Sequence, residues 1–130
     1  MGYRMRVRDL MSYPINTVRP DATVIDAIKA MVDGKKGSVI VAREGLHKEC
    51  QGIVTTTEIF RKVLALGVDP KSIKIKEIMT PAPLITIGPN APIKEAAELM
   101  IKHDIRRLPV IENHTLVGII TSKDLLYCVV

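Results

Sequence analysis

An internal repeat constrains this chain more than any other feature. Aligning Gly52-Ile53-Val54-Thr55 with Gly118-Ile119-Ile120-Thr121 brings Glu58 onto Asp124 and Ile59 onto Leu125. Upstream, Val24, Ala27, Ile28, Met31 and Val32 return as Ile93, Ala96, Ala97, Met100 and Ile101, each 69 positions on. These positions follow the i, i+3, i+4, i+7, i+8 spacing of one helical face. Five apolar positions in identical phase mark a duplication, which restricts the fold to two copies of one supersecondary unit.

The unit reads most clearly in Arg106–Leu126. Two apolar runs, Leu108–Ile111 and Leu116–Ile120, flank a polar turn at Glu112-Asn113-His114, which predicts a hairpin with a loop of several residues. The second run ends in Thr121-Ser122-Lys123-Asp124, where a strand hands over to a helix, and exposed amides at such a turn favour anions. The first half repeats this with strands over Val39–Ala42 and Gly52–Thr55, a polar loop over Arg43–Gln51, and a helix over Glu58–Leu66 stopped by Gly67. Ahead of each amphipathic helix stands a helix-starting turn, Pro20-Asp21-Ala22-Thr23 or Pro89-Asn90-Ala91-Pro92. Ahead of that turn come a short strand (Ile15–Val18; Leu84–Ile87) and a helical lead-in (Val7–Met11; Ile73–Met79). The last helix spans Lys123–Val130. Residues 1–68 and 69–130 are therefore two β-α-β-β-α repeats, joined at Val68-Asp69-Pro70. One ~60-residue unit buries little core alone. Two units packed sheet to sheet give a compact α+β module with pseudo-two-fold symmetry and two equivalent clefts.

Composition narrows the function class. Hydrophobic residues make up 47% and aromatics 3%, so the core is aliphatic. No apolar run approaches the ~18 residues of a membrane span. The start, MGYRMRVRDLM, is charged where a signal peptide is apolar. A soluble, cytoplasmic protein is expected. Two cysteines, Cys50 and Cys128, make no disulfide framework. The formal charge of +5 suits an anionic partner without choosing one. His47, Glu49 and Cys50 lack the spacing of a metal site. No catalytic triad, paired-carboxylate arrangement or glycine-rich phosphate loop is present in the sequence, so no enzyme activity is expected. Arg4, Arg6 and Arg8 would share one face of an extended segment. They read as a mobile basic arm or as a contact for nucleic acid or an acidic protein.

The chain resembles a tandem pair of cystathionine β-synthase (CBS) domains, the arrangement called a Bateman module. The resemblance rests on Asp9-Leu10-Met11-Ser12 and Glu77-Ile78-Met79-Thr80, on Ala27–Met31 and Ala96–Met100, and on Gly52-Ile53-Val54-Thr55-Thr56-Thr57-Glu58. It rests also on Arg107-Leu108-Pro109-Val110 through Gly118-Ile119-Ile120-Thr121-Ser122-Lys123-Asp124. It implies a regulatory ligand sensor, not a catalyst, for AMP, ADP, ATP, S-adenosylmethionine or methylthioadenosine, with no cofactor required. It further implies a homodimer formed through the helices, and a regulated protein acting in trans.

The resemblance also implies which residues meet the ligand. Asp124 stands where family modules hold ribose, and a carboxylate accepts from both vicinal hydroxyls. Thr121 adds a hydroxyl, with Lys123 beside it. In the first half Thr55 matches Thr121, Glu58 replaces Asp124 with one more methylene, and Thr57 stands in place of Lys123. Thr55-x-x-Glu58 and Thr121-x-x-Asp124 also read as helix capping boxes. Arg106 and Arg107 suit phosphate, because guanidinium is permanently charged and binds it through two hydrogen bonds. Gly37 and Ser38 take their places in the first half, so the half carrying Asp124 and Arg107 is the better equipped for a phosphorylated nucleoside. The adenine slot falls to Thr86, Ile87 and Ala91, with Ile85, and in the first half to Thr17, Val18 and Ala22. All of these also read as plain core. The alternative function is a basic interaction module for nucleic acid or an acidic protein, with no small-molecule ligand.

Overall fold

The computed structural model describes residues 4–13, 16–43 and 49–129. Their elements are α1 (Val7–Leu10), β1 (Thr17–Val18), α2 (Val24–Gly34), β2 (Ser38–Arg43), β3 (Glu49–Thr55) and α3 (Thr56–Ile59), which continues as a π-helix over Phe60–Leu64. After a 3-10 turn at Ile75–Glu77 come β4 (Thr80–Pro81), α4 (Ile93–His103), β5 (Arg107–Glu112), β6 (Thr115–Thr121) and α5 (Ser122–Leu125), then a 3-10 turn over Leu126–Val129. The fold is α+β and contains the β-α-β-β-α order twice.

The chain packs as two compact units that cross the sequence repeat. Asn16–Leu84 forms one, and Met1–Ile15 together with Ile85–Val130 forms the other. The division by repeat, 1–68 and 69–130, and the division by packing differ because each lead-in is taken up where its backbone and its apolar residue are satisfied. In the first unit Ile75 is fully buried, and its N–H donates to the Ala22 carbonyl at 2.8 Å. In the other unit Val7 is fully buried, and its N–H donates to the Ala91 carbonyl at 2.9 Å. Each burial contributes on the order of 1.5–3 kcal/mol, far more than the lead-in's own helical propensity.

In the unit Asn16–Leu84 the sheet order is β1-β2-β3-β4. β1 runs parallel to β2 (Thr17 opposite Ile40), and β3 is antiparallel to both β2 and β4. Val24, Ala27 and Met31 of α2 pack with Val39, Val41, Val54, Ile59, Val63, Ile75 and Ile78. The other unit pairs β5 with β6 and completes the pattern with single bridges, Ile87 parallel to Val110 and Ser12 antiparallel to Ile119. Ala96 and Met100 pack there with Val7, Ile87, Leu108, Val110 and Ile120.

Several elements depart from the sequence reading. Leu84–Ile87 is one bridge instead of a strand. Ile73–Met79 shrinks to a 3-10 turn, and β3 begins at Glu49, inside the expected loop. The hairpin closes in two residues, Asn113 and His114. Both have positive φ, of 50° and 66°, the combination that matches strand twist. The helices after β3 and β6 begin two and one residues earlier than expected, because Thr55 and Thr121 are themselves the N-caps. Val32 and Ile101, the last positions of the two helical faces, are 69% and 82% exposed. Position i+8 lies about 80° from position i around a helix, at the edge of the covered arc.

Candidate functional site

Each unit gathers its candidate residues where the hairpin hands over to a short helix. In the unit containing Ile85–Val130, Arg107 stands directly opposite Thr121 across the β5–β6 ladder. Cross-strand partners project to one face of a sheet, so the guanidinium and the hydroxyl share a side. Leu108, Val110 and Ile120 take the opposite face, against α4. The Ser122 N–H donates to the Arg106 carbonyl at 2.8 Å, which ties the start of α5 to the start of β5. The backbones of Arg106, Arg107, Thr121, Lys123 and Asp124 therefore meet at one turn, and Asp124 is half-buried.

The carboxylates act first as helix caps. Asp124 Oδ2 accepts from the Thr121 N–H at 2.9 Å, and Thr121 Oγ1 accepts from the Asp124 N–H at 3.1 Å. Oδ1 takes no part in this box. In the unit Asn16–Leu84 the longer Glu58 folds back completely. Its Oε1 accepts from the Thr55 N–H at 3.1 Å and its Oε2 from the Thr55 hydroxyl at 2.9 Å. The Thr57 N–H donates to Thr55 Oγ1 at 3.2 Å, and Thr57 is exposed. Ser38 is buried and stands opposite Thr55. The two turns share a plan and differ in chemistry. In one the carboxylate caps through a single oxygen and three basic residues stand nearby in the sequence; in the other both carboxylate oxygens are engaged.

Most of the amides at the two turns are already engaged. The amides of Thr121 and Asp124 donate within the turn and that of Ser122 to the Arg106 carbonyl; in its counterpart those of Thr55 and Thr57 donate within the turn and that of Thr56 to the Gly37 carbonyl.

The expected base slot divides by strand alternation. Ile87 is buried in the core beneath α4, and Val18 and Ile85 pack against the cores of their own units. Thr17 shares the register of Ile40, on the face that carries Ser38 and Thr55. Thr86 is exposed beside buried Ile87. Ala22 and Ala91 are half-buried, and their carbonyls accept from the lead-ins. The basic arm is corrected as well. Arg6 donates from Nη1 to the Asn90 carbonyl at 2.8 Å and Arg8 lies in α1, so Arg4, Arg6 and Arg8 share no strand face. Of the weighed metal trio, His47 and the side chain of Glu49 lie outside the described residues, and no cluster of three ligating side chains occurs among the described ones. Burial raises the thiol pKa of Cys50 above its ordinary value, only partly offset by a backbone hydrogen bond from Gly52. No helix among the described residues is long and apolar enough to cross a membrane.

Sequence reasoning missed the lead-in contacts. The Sδ of Met11 lies where a Cβ on Gly118 would meet it at 2.6 Å, and the Sδ of Met79 stands in the same relation to Gly52 at 2.7 Å. The matched glycines and matched methionines were the signal that could have found them.

Known proteins carry the same architecture. The CBS domain family matches residues 7–65 and 75–130. The mitochondrial CBS domain-containing protein CBSX3 of Arabidopsis thaliana is 34% identical over 111 residues; the match covers 85% of this chain and 54% of the relative, so the chain spans about half that protein's length. The hexameric CBS-CP12 protein from bloom-forming cyanobacteria superposes with a TM-score of 0.85 at 37% identity, over 95% of this chain and 70% of that one. The CBS domain pair of protein MJ0100, solved in complex with 5′-methylthioadenosine and S-adenosyl-L-methionine, superposes at 0.83 with 30% identity, over 95% and 94% of the two chains.

Proposed function

The chain belongs to the CBS domain family, and on that premise we propose that it is a regulatory module binding an adenosine compound at the turn of Asp124. One observation carries the reading. Asp124 caps its helix with a single oxygen, while Arg107 and Thr121 stand opposite each other beside it. The remaining oxygen accepts from the ribose hydroxyls, and Arg106, Arg107 and Lys123 meet phosphate. The MJ0100 pair, with its two adenosine ligands, supports this ligand class. AMP, ADP, ATP, S-adenosylmethionine and methylthioadenosine are the candidates. The turn of Glu58 is the weaker site, since both carboxylate oxygens are engaged within it.

A thermal-shift series with these five compounds and with short RNA and DNA tests the reading, because a ligand that binds only the folded state raises Tm. The expected result is a shift with one adenosine compound that calorimetry reproduces and that Asp124→Ala diminishes. A response to RNA or DNA alone, falling steeply with salt, would replace this reading with a nucleic-acid-binding one.

The module acts by changing its own conformation or assembly, which a target protein reads. Self-association runs through the helices. Val32, Phe60 and Leu64 are exposed on one unit, and Ile101, Leu126, Tyr127 and Val129 on the other. Large apolar side chains grouped on helices at the surface mark association sites. Sedimentation velocity measures the assembly, and a monomer at all concentrations would exclude this part.

A further inference from the structure

We propose that residues 4–13 form a strap whose docking is coupled to ligand at the Asp124 turn. The inference rests on the ligand reading above and adds its regulation. The strap is hydrogen-bonded at two places. At one end it holds the turn that enters α4. The Arg8 N–H donates to the Pro89 carbonyl at 2.9 Å, the Val7 N–H to the Ala91 carbonyl at 2.9 Å, and Arg6 Nη1 to the Asn90 carbonyl at 2.8 Å. The Met5 carbonyl accepts from the Ile93 N–H at 3.2 Å. At the other end it pairs with β6. The Ser12 N–H donates to the Ile119 carbonyl at 2.8 Å, and the Ile119 N–H donates back to the Ser12 carbonyl at 3.2 Å.

Both places adjoin residues of the proposed site. Pro89–Ala91 is the turn that carries Ala91, and β6 runs from Ile119 directly to Thr121 and the Asp124 cap. Between them Met11 crosses β6 over Gly118, where a Cβ would lie 2.6 Å from its Sδ and 3.2 Å from the Ser12 carbonyl oxygen. Glycine at 118 is what allows the strap to lie so close. A ligand held by the Asp124 turn and the Ala91 turn fixes the spacing that the docked strap also fixes. Each therefore favours the other, and the coupling is reciprocal by thermodynamic necessity.

The test is amide hydrogen exchange on the full chain with and without saturating AMP, and with methylthioadenosine in parallel, beside calorimetry on Gly118→Ala and Ser12→Pro. Ligand is expected to slow exchange of the Val7, Arg8, Ser12 and Ile119 amides about fivefold or more, and the variants to lose ligand affinity by a similar factor. Exchange at Leu108 and Ile120 reports whether each variant keeps its core. Should Ser12→Pro not fold, the wild-type exchange and Gly118→Ala still decide. Calorimetric binding with unchanged strap amides, or folded variants with wild-type affinity, would overturn the strap and leave the ligand reading intact. Should neither bind, ADP, ATP and S-adenosylmethionine replace them in the same experiment, and binding of none of the five would overturn both.

Discussion

Substitution of Asp124 separates its capping role from its proposed ligand role. Asp124→Ala removes the Oδ2 contact to the Thr121 N–H and lowers stability by about 0.5–2 kcal/mol. For a chain of this size that is a fall in Tm of roughly 2–8 °C. Asp124→Asn keeps an oxygen acceptor at the third position of the capping box, so its Tm stays within about 2 °C of wild type. The ligand effect runs differently. Hydrogen bonds from ribose hydroxyls to a carboxylate contribute about 1.5–3 kcal/mol, so Asp124→Ala weakens an adenosine compound by roughly 10- to 150-fold. The neutral amide retains part of this, and Asp124→Asn loses about 5- to 15-fold. Glu58→Ala breaks two contacts within its own turn. It is expected to lower Tm at least as much as Asp124→Ala while changing affinity less than about threefold. Melting curves and titration calorimetry on the same three variants read both quantities. Equal affinity losses for Asp124→Ala and Glu58→Ala, or full affinity in Asp124→Ala, would refute the asymmetry argued from the two caps.

Other perturbations probe separate parts of the molecule. Arg107→Ala weakens AMP by about tenfold and adenosine hardly at all, since a guanidinium–phosphate contact is charge-assisted; equal losses in calorimetry would assign Arg107 another task. Gly52→Ala places a Cβ 2.6 Å from the Thr80 carbonyl oxygen, and backbone cannot yield as a side chain does, so chemical denaturation should find a loss of about 1–3 kcal/mol. The raised Cys50 pKa gives stability that is present below the ordinary thiol value of 9.0 and lost as pH rises through the higher folded value; Cys50→Ser should remove that decline from denaturation curves measured between pH 8 and 11. Phe60→Asp together with Leu64→Asp, both on exposed positions, should shift sedimentation toward the monomer without lowering Tm by more than about 3 °C; unchanged sedimentation would place self-association elsewhere.

The sequence by itself determined the repeat, the order of elements, the aliphatic core and the two hydroxyl–carboxylate turns. Those are local matters: helical phase in Val24–Met31 and Ile93–Met100, alternation in the strands, and capping chemistry three residues apart in Thr55–Glu58 and Thr121–Asp124. Even the turn at Asn113-His114 reads as polar in the sequence, although its two-residue length depends on both residues taking positive φ. The tertiary structure decided what local chemistry leaves open. It sent Val32 and Ile101 to the surface and Val18 and Ile87 into cores, since burial depends on which neighbours cover an arc. It also decided which amides at the turns remain available, because Ser122 and Thr56 donate to carbonyls at distant sequence positions. Above all it gave Val7 to α4, β5 and β6, and Ile75 to α2, β2 and β3. Each lead-in has the same hydrogen-bonding pattern and nearly the same side chain, so the repeat says what it binds but not which copy. That choice belongs to the path of the folded chain.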